Sequence, residues 1–229
     1  MQRFAVGVIA VLASAGLWWV GWGLHPVPGV AVLAALPVLL LAPRTDACWA
    51  FVAAFSALLI GELRWWPYFV DTLEQPQAVT VLLLAGSAAV FGAAVLVGRA
   101  LLVRGRTGLA AVAVPAVWVS FEYLLAMMGP FGAWWSVAYT QAGVLPVVRM
   151  AALTGVWGIS FAVLLGSSVI AALAAPGVTA RTRAAERLCC WCRHSTSPTT
   201  RGCTAGWRSC AASNPGSRWR ERRNSGNWC

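Results

Sequence analysis

One acidic residue inside a long apolar stretch is the first candidate for chemistry. Glu122 is the single charged residue of residues 109–128. An ionisable side chain within a membrane span is costly, so it suggests a functional role by default. Trp118 precedes it by four residues, which puts both side chains on one helix face. The alternative is a hydrogen bond that fastens a neighbouring loop, for which three side chains qualify: Tyr139, Gln141 and Arg149.

Cysteine is the other residue type here that could act as a nucleophile or a metal ligand. Six of the seven cysteines lie beyond residue 188 with His194, and their spacing lacks the paired C-x2-C pattern of a zinc site. Cys48 lies in an apolar stretch without His or Lys beside it, which favours a buried structural role. We therefore predict no catalytic residue, no metal site and no cofactor in this chain.

The composition is typical of a membrane protein. Of 229 residues, 59% are hydrophobic and 10% are charged, whereas soluble domains carry about 25% charged residues. A helix that crosses the bilayer core needs roughly 20 apolar residues. Six uncharged stretches approach this length, the second and third being short: residues 4–24, 28–41, 47–60, 78–97, 109–128 and 151–174. We predict an all-α fold, a polytopic transmembrane helical bundle of about six spans.

Arginine sets the predicted orientation, since all 17 basic residues are arginine. A cytoplasmic N-terminus leaves only Arg64 and Arg149 outside, as the positive-inside rule requires. Two aromatic-rich loops, residues 64–77 and 129–149, then face the exoplasmic side. Trp134 and its neighbours fit an interfacial aromatic belt there. Four charged residues border the first loop, and we expect them to be solvated or to contact lipid headgroups: Glu62, Arg64, Asp71 and Glu74.

The chain changes character after residue 176. Residues 177–229 combine many arginines and cysteines with Ser, Gly and Asn, and they show no apolar periodicity. Such a segment cannot bury enough apolar surface to offset the entropy of ordering it. We predict a transmembrane helical domain, residues 1–176, and a disordered basic C-terminal tail, residues 177–229. One hypothesis for this tail is translation out of frame.

Three segments in a fixed order carry a family resemblance. The first is Pro115-Ala116-Val117-Trp118 with Glu122 following; the second is the loop that ends in Ala138-Tyr139-Thr140-Gln141; the third is Thr154-Gly155-Val156-Trp157-Gly158. In order and spacing they resemble the membrane half of apolipoprotein N-acyltransferase, over roughly residues 1–176. Ala133 and Ala138 stand where that family commonly has Pro and Gly.

The resemblance implies a function and a set of partners. The family transfers an acyl chain from a phospholipid to the N-terminal amine of a lipoprotein in the bacterial inner membrane, using Glu, Lys and Cys of a nitrilase-like domain. This chain has no lysine, and we find no counterpart of that domain. We therefore expect a truncated protein that is inactive alone, which leaves its status as an enzyme open. Nucleic acid is not an expected partner.

An alternative function is a non-enzymatic lipid-binding membrane module, or scaffold, for a separate nitrilase-like subunit. Under either hypothesis the resemblance, together with the cost of a buried charge, selects a set of membrane-domain candidates: Glu122, Trp118, Trp134, Tyr139, Gln141, Arg149 and Trp157.

Overall fold

The computed structural model describes residues 2–128 and 132–175, without the side chains of residues 2 and 3. These residues are largely helical and include no strand, which confirms the predicted all-α fold. The predicted tail lies outside the described residues. Seven α-helices follow one another along the described chain: α1 Gln2–Gly21, α2 Val30–Ala34, α3 Leu36–Leu41, α4 Ala47–Glu62, α5 Gln77–Val103, α6 Thr107–Met128 and α7 Leu145–Leu173.

Five helical segments of the described chain are long and apolar enough to cross a membrane: α1, α4 with its continuation to Thr72, α5, α6 and α7. The second predicted span is a shorter apolar segment, Val30–Arg44. It is divided at Ala35 between α2 and α3. Pro37 accounts for the break, because proline lacks an N–H and its ring excludes the carbonyl four residues earlier. At 1.5 Å per residue the segment extends only about 22 Å.

This short segment nevertheless runs from one end of the bundle to the other. Its start packs so closely on the end of α1 that a Cβ on Gly21 would lie 2.8 Å from the amide nitrogen of Ala31. Past α3, Arg99 of α5 donates to the carbonyl oxygens of Ala42 at 3.0 Å and Thr45 at 2.7 Å. Six segments of the described chain therefore alternate between the two ends, and the predicted polytopic helical bundle is confirmed.

The two ends of the bundle differ in chemistry. At one end, Arg44 and Arg99 hydrogen-bond to backbone carbonyls, with Arg44 reaching Ala174 beyond α7 at 3.3 Å; we call this the arginine end. At the other end, the indole of Trp65 donates to the carbonyl of Trp22 at 3.2 Å; we call this the aromatic end.

Cys48 lies in the first turn of α4 and is exposed, so its predicted burial is wrong.

Small side chains and aromatic rings fill the space between the helices. Ala31, Ala54 and Ala88 are fully buried, and alanine at such contacts lets helix backbones approach closely. A Cβ on Gly61 would lie 2.4 Å from Cβ of Trp18, so glycine is required at this α1–α4 contact. Ser14 donates to the carbonyl of Ala34 at 2.5 Å, which supplies a hydrogen bond where α2 ends. Backbone groups in a bilayer depend on such internal partners.

Candidate functional site

Glu122 lies on α6, and its carboxylate is buried, with 6% of the residue exposed. One turn earlier on the helix, Trp118 donates its indole N–H to Oε1 at 3.0 Å. The backbone N–H of Val137 donates to the same oxygen at 2.8 Å. Oε2 accepts from the hydroxyl of Ser136 at 3.1 Å. The carboxylate thus joins α6 to the loop that precedes α7.

Two serines extend this network to α7. The hydroxyl oxygens of Ser136 and Ser160 lie 2.8 Å apart, and the N–H of Ala138 points to both, at 3.2 and 3.1 Å. Either hydroxyl can be the donor in this pair. Ser136 is also the N-cap of a short 3-10 helix, Val137–Gln141. We call this network the Glu122 cluster: Trp118, Glu122, Ser136, the Val137 and Ala138 amides, and Ser160.

The hydrogen bonds of Glu122 fasten the loop that precedes α7. Their donors are not the residues that the sequence led us to expect. Tyr139 and Arg149 are exposed and are not among its hydrogen-bond donors, and Gln141 instead donates to Thr140 Oγ1 at 3.0 Å. The expectation of those three partners is therefore wrong. The physical reason is the 3-10 helix that starts at Val137, because its first amides have no partner within the helix and turn toward the carboxylate.

The tryptophans of the candidate set connect different elements at the aromatic end. Trp134 packs its ring against Trp65, Tyr68 and Phe69, with centroid separations of 6.0, 5.8 and 5.6 Å. These contacts join the loop after α6 to the segment after α4. Trp157 meets Tyr123 edge to face at 5.7 Å. Trp134 therefore links two loops, whereas Trp157 links α7 to α6.

A cleft of about 380 Å3 opens at the aromatic end. We call it the aromatic cleft. Its volume lies in the range of small-molecule sites, which is roughly 300–1,000 Å3. Tyr68 and Tyr139 bring the hydroxyl-bearing rings of a lining that is otherwise largely apolar. Its lining residues come from the α1–α2 turn, the segment after α4 and the loop after α6: Gly23, Leu24, Pro26, Pro28, Trp65, Tyr68, Trp134, Tyr139, Thr140, Ala142 and Gly143.

The Glu122 cluster and the aromatic cleft share the 3-10 helix Val137–Gln141. The buried side of this helix binds the carboxylate through the Val137 amide. Tyr139 and Thr140 of the same helix form one wall of the cleft. The cluster therefore fixes the position of that wall.

Most of the described helices and loops match a known protein family. A family model of the apolipoprotein N-acyltransferase N-terminal domain matches residues 6–169. The chain belongs to this family. A curated apolipoprotein N-acyltransferase from Geobacter metallireducens is 32% identical over 154 residues, which is 63% of this chain and 30% of the relative. The chain thus spans about 30% of the length of that relative. No solved structure is significantly similar.

In this acyltransferase N-terminal domain, the sequence did not identify two kinds of buried polar residue. Ser136 and Ser160 complete the Glu122 cluster, yet isolated serines form no recognisable pattern. Glu62 was expected to be a solvated or headgroup-contacting charge, and this is wrong: it is 0% exposed. Its Oε2 accepts from Ser87 Oγ at 2.6 Å, and its Oε1 has no partner among the described residues. Its spacing four residues after buried Leu58 was an available signal.

Proposed function

We propose that this chain is the membrane part of an apolipoprotein N-acyltransferase and receives acyl chains of the phospholipid and lipoprotein substrates in the aromatic cleft. The observation that carries this proposal is the cleft, an open volume of about 380 Å3 with a mainly apolar and aromatic lining. Burying an acyl chain there is favourable by about 0.8 kcal/mol per CH2 group. The hydroxyls of Tyr68 and Tyr139 offer hydrogen bonds to the ester or amide end of such a chain.

The candidate residues then divide into two roles. Trp134 contacts the substrate directly as part of the cleft wall. Glu122 and Trp118 act as positioning residues, since they hold the 3-10 helix that carries Tyr139. The acyl transfer itself depends on residues outside this domain, because the sequence contains no lysine to serve with Glu and Cys. We therefore expect no acyl transfer from this chain alone.

Ligand-dependent stability of the purified chain in lipid nanodiscs tests the cleft. A synthetic diacylglyceryl-cysteine peptide that binds the folded state raises the Tm as its concentration increases, by mass action. We expect this rise for the wild type and a loss of most of it for Trp134→Ala. Leu82→Ala is the control, because Leu82 is 74% exposed on α5 and does not line the cleft. Equal rises in Tm for the wild type and Trp134→Ala would rule out the cleft as the binding site.

The alternative proposal is a lipid-binding module that serves a separately encoded nitrilase-like subunit. The same cleft and the same lack of lysine support it. Acyl transfer to a lipopeptide distinguishes the alternatives when the chain is assayed alone and with an added nitrilase-like domain. Activity only with the added domain supports the module. Activity of the chain alone would contradict both proposals.

We further propose that the protein lies in the bacterial inner membrane with a cytoplasmic N-terminus. The arginine end would then face the cytoplasm, in agreement with the positive-inside rule. The aromatic cleft would open on the exoplasmic side, where lipoproteins are matured.

A further inference from the structure

Arg64 borders the aromatic cleft. Its side chain packs on Gly23, which lines the cleft: a Cβ added at Gly23 would lie 3.0 Å from Nε and 3.1 Å from Cδ of Arg64. The next residue along the chain, Trp65, also lines the cleft. Arg64 is not itself a lining residue and is partly exposed. Its guanidinium is therefore beside the cleft without filling it.

One hydrogen bond holds the guanidinium in this position. Nη1 of Arg64 donates to the carbonyl oxygen of Trp19 at 3.0 Å. Trp19 lies in the last turn of α1, where carbonyl groups lack partners within the helix and a cation is favourable. Because arginine has several N–H donors, this bond leaves most of them for a ligand. The end of α1 thus fixes a cation next to the cleft.

No acidic side chain of the described residues pairs with Arg64. Glu62 is fully buried and bonds to Ser87. Asp71 and Glu74 follow in the same segment of the chain, but both are exposed and neither forms an ion pair with Arg64. The charge of Arg64 is therefore free to bind an anion. A planar guanidinium suits phosphate in particular, since it donates to two phosphate oxygens side by side.

The neighbours of Arg64 place it at the depth of lipid headgroups. Trp65 and Tyr68 follow it in the chain and line the cleft, and tryptophan and tyrosine concentrate where a membrane meets water. The phosphates of phospholipids lie at this depth. An acyl chain in the cleft would therefore bring the phosphate of its own lipid close to Arg64.

We propose that Arg64 binds the phosphodiester of the phospholipid whose acyl chain enters the aromatic cleft. This inference rests on the proposed function, because the cleft must bind that chain. Of the two lipid substrates, only the phospholipid carries a phosphate, whereas the diacylglyceryl-cysteine of a lipoprotein has none. Arg64 therefore favours the acyl donor over the acyl acceptor in the same cleft.

Two lipids with the same short acyl chains test the role of Arg64. Dioctanoylphosphatidylcholine carries the phosphodiester and is zwitterionic, so net charge does not attract it; dioctanoylglycerol lacks the headgroup. The chain, purified in a nonionic detergent and phosphate-free buffer, is titrated with each lipid, and the Tm rises with ligand concentration by mass action. For the wild type we expect the phospholipid to bind roughly tenfold more tightly, because hydrogen bonds to charged groups are strong.

Arg64→Gln removes the charge but keeps an N–H donor for the Trp19 carbonyl. We expect this variant to bind both lipids equally, with its affinity for dioctanoylglycerol unchanged. Arg104→Gln is the matched control, since it removes the same charge from an exposed position directly after α5; it should keep the preference. A wild-type preference in Arg64→Gln would overturn the role of Arg64 and leave the cleft intact. Failure of the wild type to bind either lipid would overturn both proposals.

Arg64→Lys keeps the test decisive if Arg64→Gln does not fold. Lysine retains the charge but not the planar arrangement of donors, so we expect a preference between that of the wild type and none. An undiminished preference in Arg64→Lys would contradict paired hydrogen bonds to the phosphate. Inorganic phosphate distinguishes a lipid from a free anion: a rise in Tm equal to that with the phospholipid would contradict a phospholipid site.

Discussion

Glu122 and Glu62 are both buried acidic residues, but their surroundings differ. Glu122 accepts hydrogen bonds from Trp118, Ser136 and Val137. Glu62 accepts one, from Ser87, and its second oxygen has no partner in the described residues. A buried donor that loses its acceptor costs about 1–3 kcal/mol. The two carboxyl groups are therefore expected to respond in opposite ways to replacement by an apolar side chain.

Replacing Glu122 by leucine is expected to destabilise the domain by roughly 2–5 kcal/mol, because three buried donors lose their acceptor. Glu122→Gln keeps one carbonyl oxygen, so its expected loss of stability is about half as large. Thermal unfolding of the detergent-purified chain measures both effects. Ser120→Ala is the control, since Ser120 is exposed and bonds only within α6. A Tm of Glu122→Leu equal to that of Ser120→Ala would contradict the role assigned to the cluster.

Replacing Glu62 by methionine is expected to leave stability unchanged or to raise it by about 1 kcal/mol. Methionine has a similar shape, and well-packed apolar side chains often replace buried charged groups without loss. Ser87 is not left unpaired, because its hydroxyl also reaches the carbonyl of Leu84 at 2.8 Å. Thermal unfolding of the detergent-purified Glu62→Met variant measures its stability. A loss as large as that of Glu122→Leu would show that the second oxygen of Glu62 has a partner of its own.

At the scale of elements, the break within α7 decides how the site is assembled. Gly155 has φ 66° and ψ −173° inside this helix, a region that is essentially restricted to glycine. The break separates residues 145–154 from the part of α7 that carries Ser160. Ser160 then reaches the loop at Ser136 and Ala138. Glycine at position 155 therefore permits this change of direction.

Gly155→Ala is expected to destabilise the domain by about 1–3 kcal/mol, because the backbone angles at this position are strained for any other residue. Steric overlap does not contribute, since the nearest atom to an added Cβ is 3.9 Å away. Gly86→Ala is the matched control: it lies in regular α5 with nothing within 4 Å, so alanine should preserve or raise the Tm. Equal effects of the two substitutions would argue against backbone strain at Gly155.

The long helices could be predicted from the sequence, whereas features that depend on tertiary contacts could not. The long apolar stretches predicted the ends of α5 and α6 to within six residues, because a bilayer imposes both length and lack of charge. The i, i+4 spacing predicted that Trp118 and Glu122 share a face. The division of Val30–Arg44 and the partners Ser136 and Ser160 depend on tertiary contacts between distant residues. No periodicity encodes such contacts.

At the scale of the whole molecule, the chain is a multi-pass membrane protein with chemically distinct ends. Arg44 and Arg99 gather near the ends of α3, α5 and α7, whereas Trp65 and Trp134 meet at the opposite end. Because the aromatic cleft opens at the aromatic end, the proposed function requires this end to face the exoplasmic side.

Chemical labelling of intact spheroplasts with a membrane-impermeant maleimide tests this orientation. Cys48 is exposed near the arginine end, where Trp49 contacts Phe4. We expect it to react only after the membrane is permeabilised. Ala142→Cys, in the cleft lining, should react in intact spheroplasts. Peptide mass spectrometry identifies the labelled residue. Labelling of Cys48 before permeabilisation would contradict the cytoplasmic N-terminus.

Photo-crosslinking shows whether acyl chains bind in the aromatic cleft. The chain is reconstituted with a phospholipid that carries a diazirine near the end of one acyl chain, and crosslinked residues are identified by mass spectrometry. We expect labelling of Trp65, Tyr68 and Trp134 that an excess of unlabelled diacylglyceryl-cysteine peptide suppresses, while labelling of lipid-facing residues such as Leu82 persists. Labelling that avoids the cleft, or that the peptide does not reduce there, would contradict acyl-chain binding in the cleft.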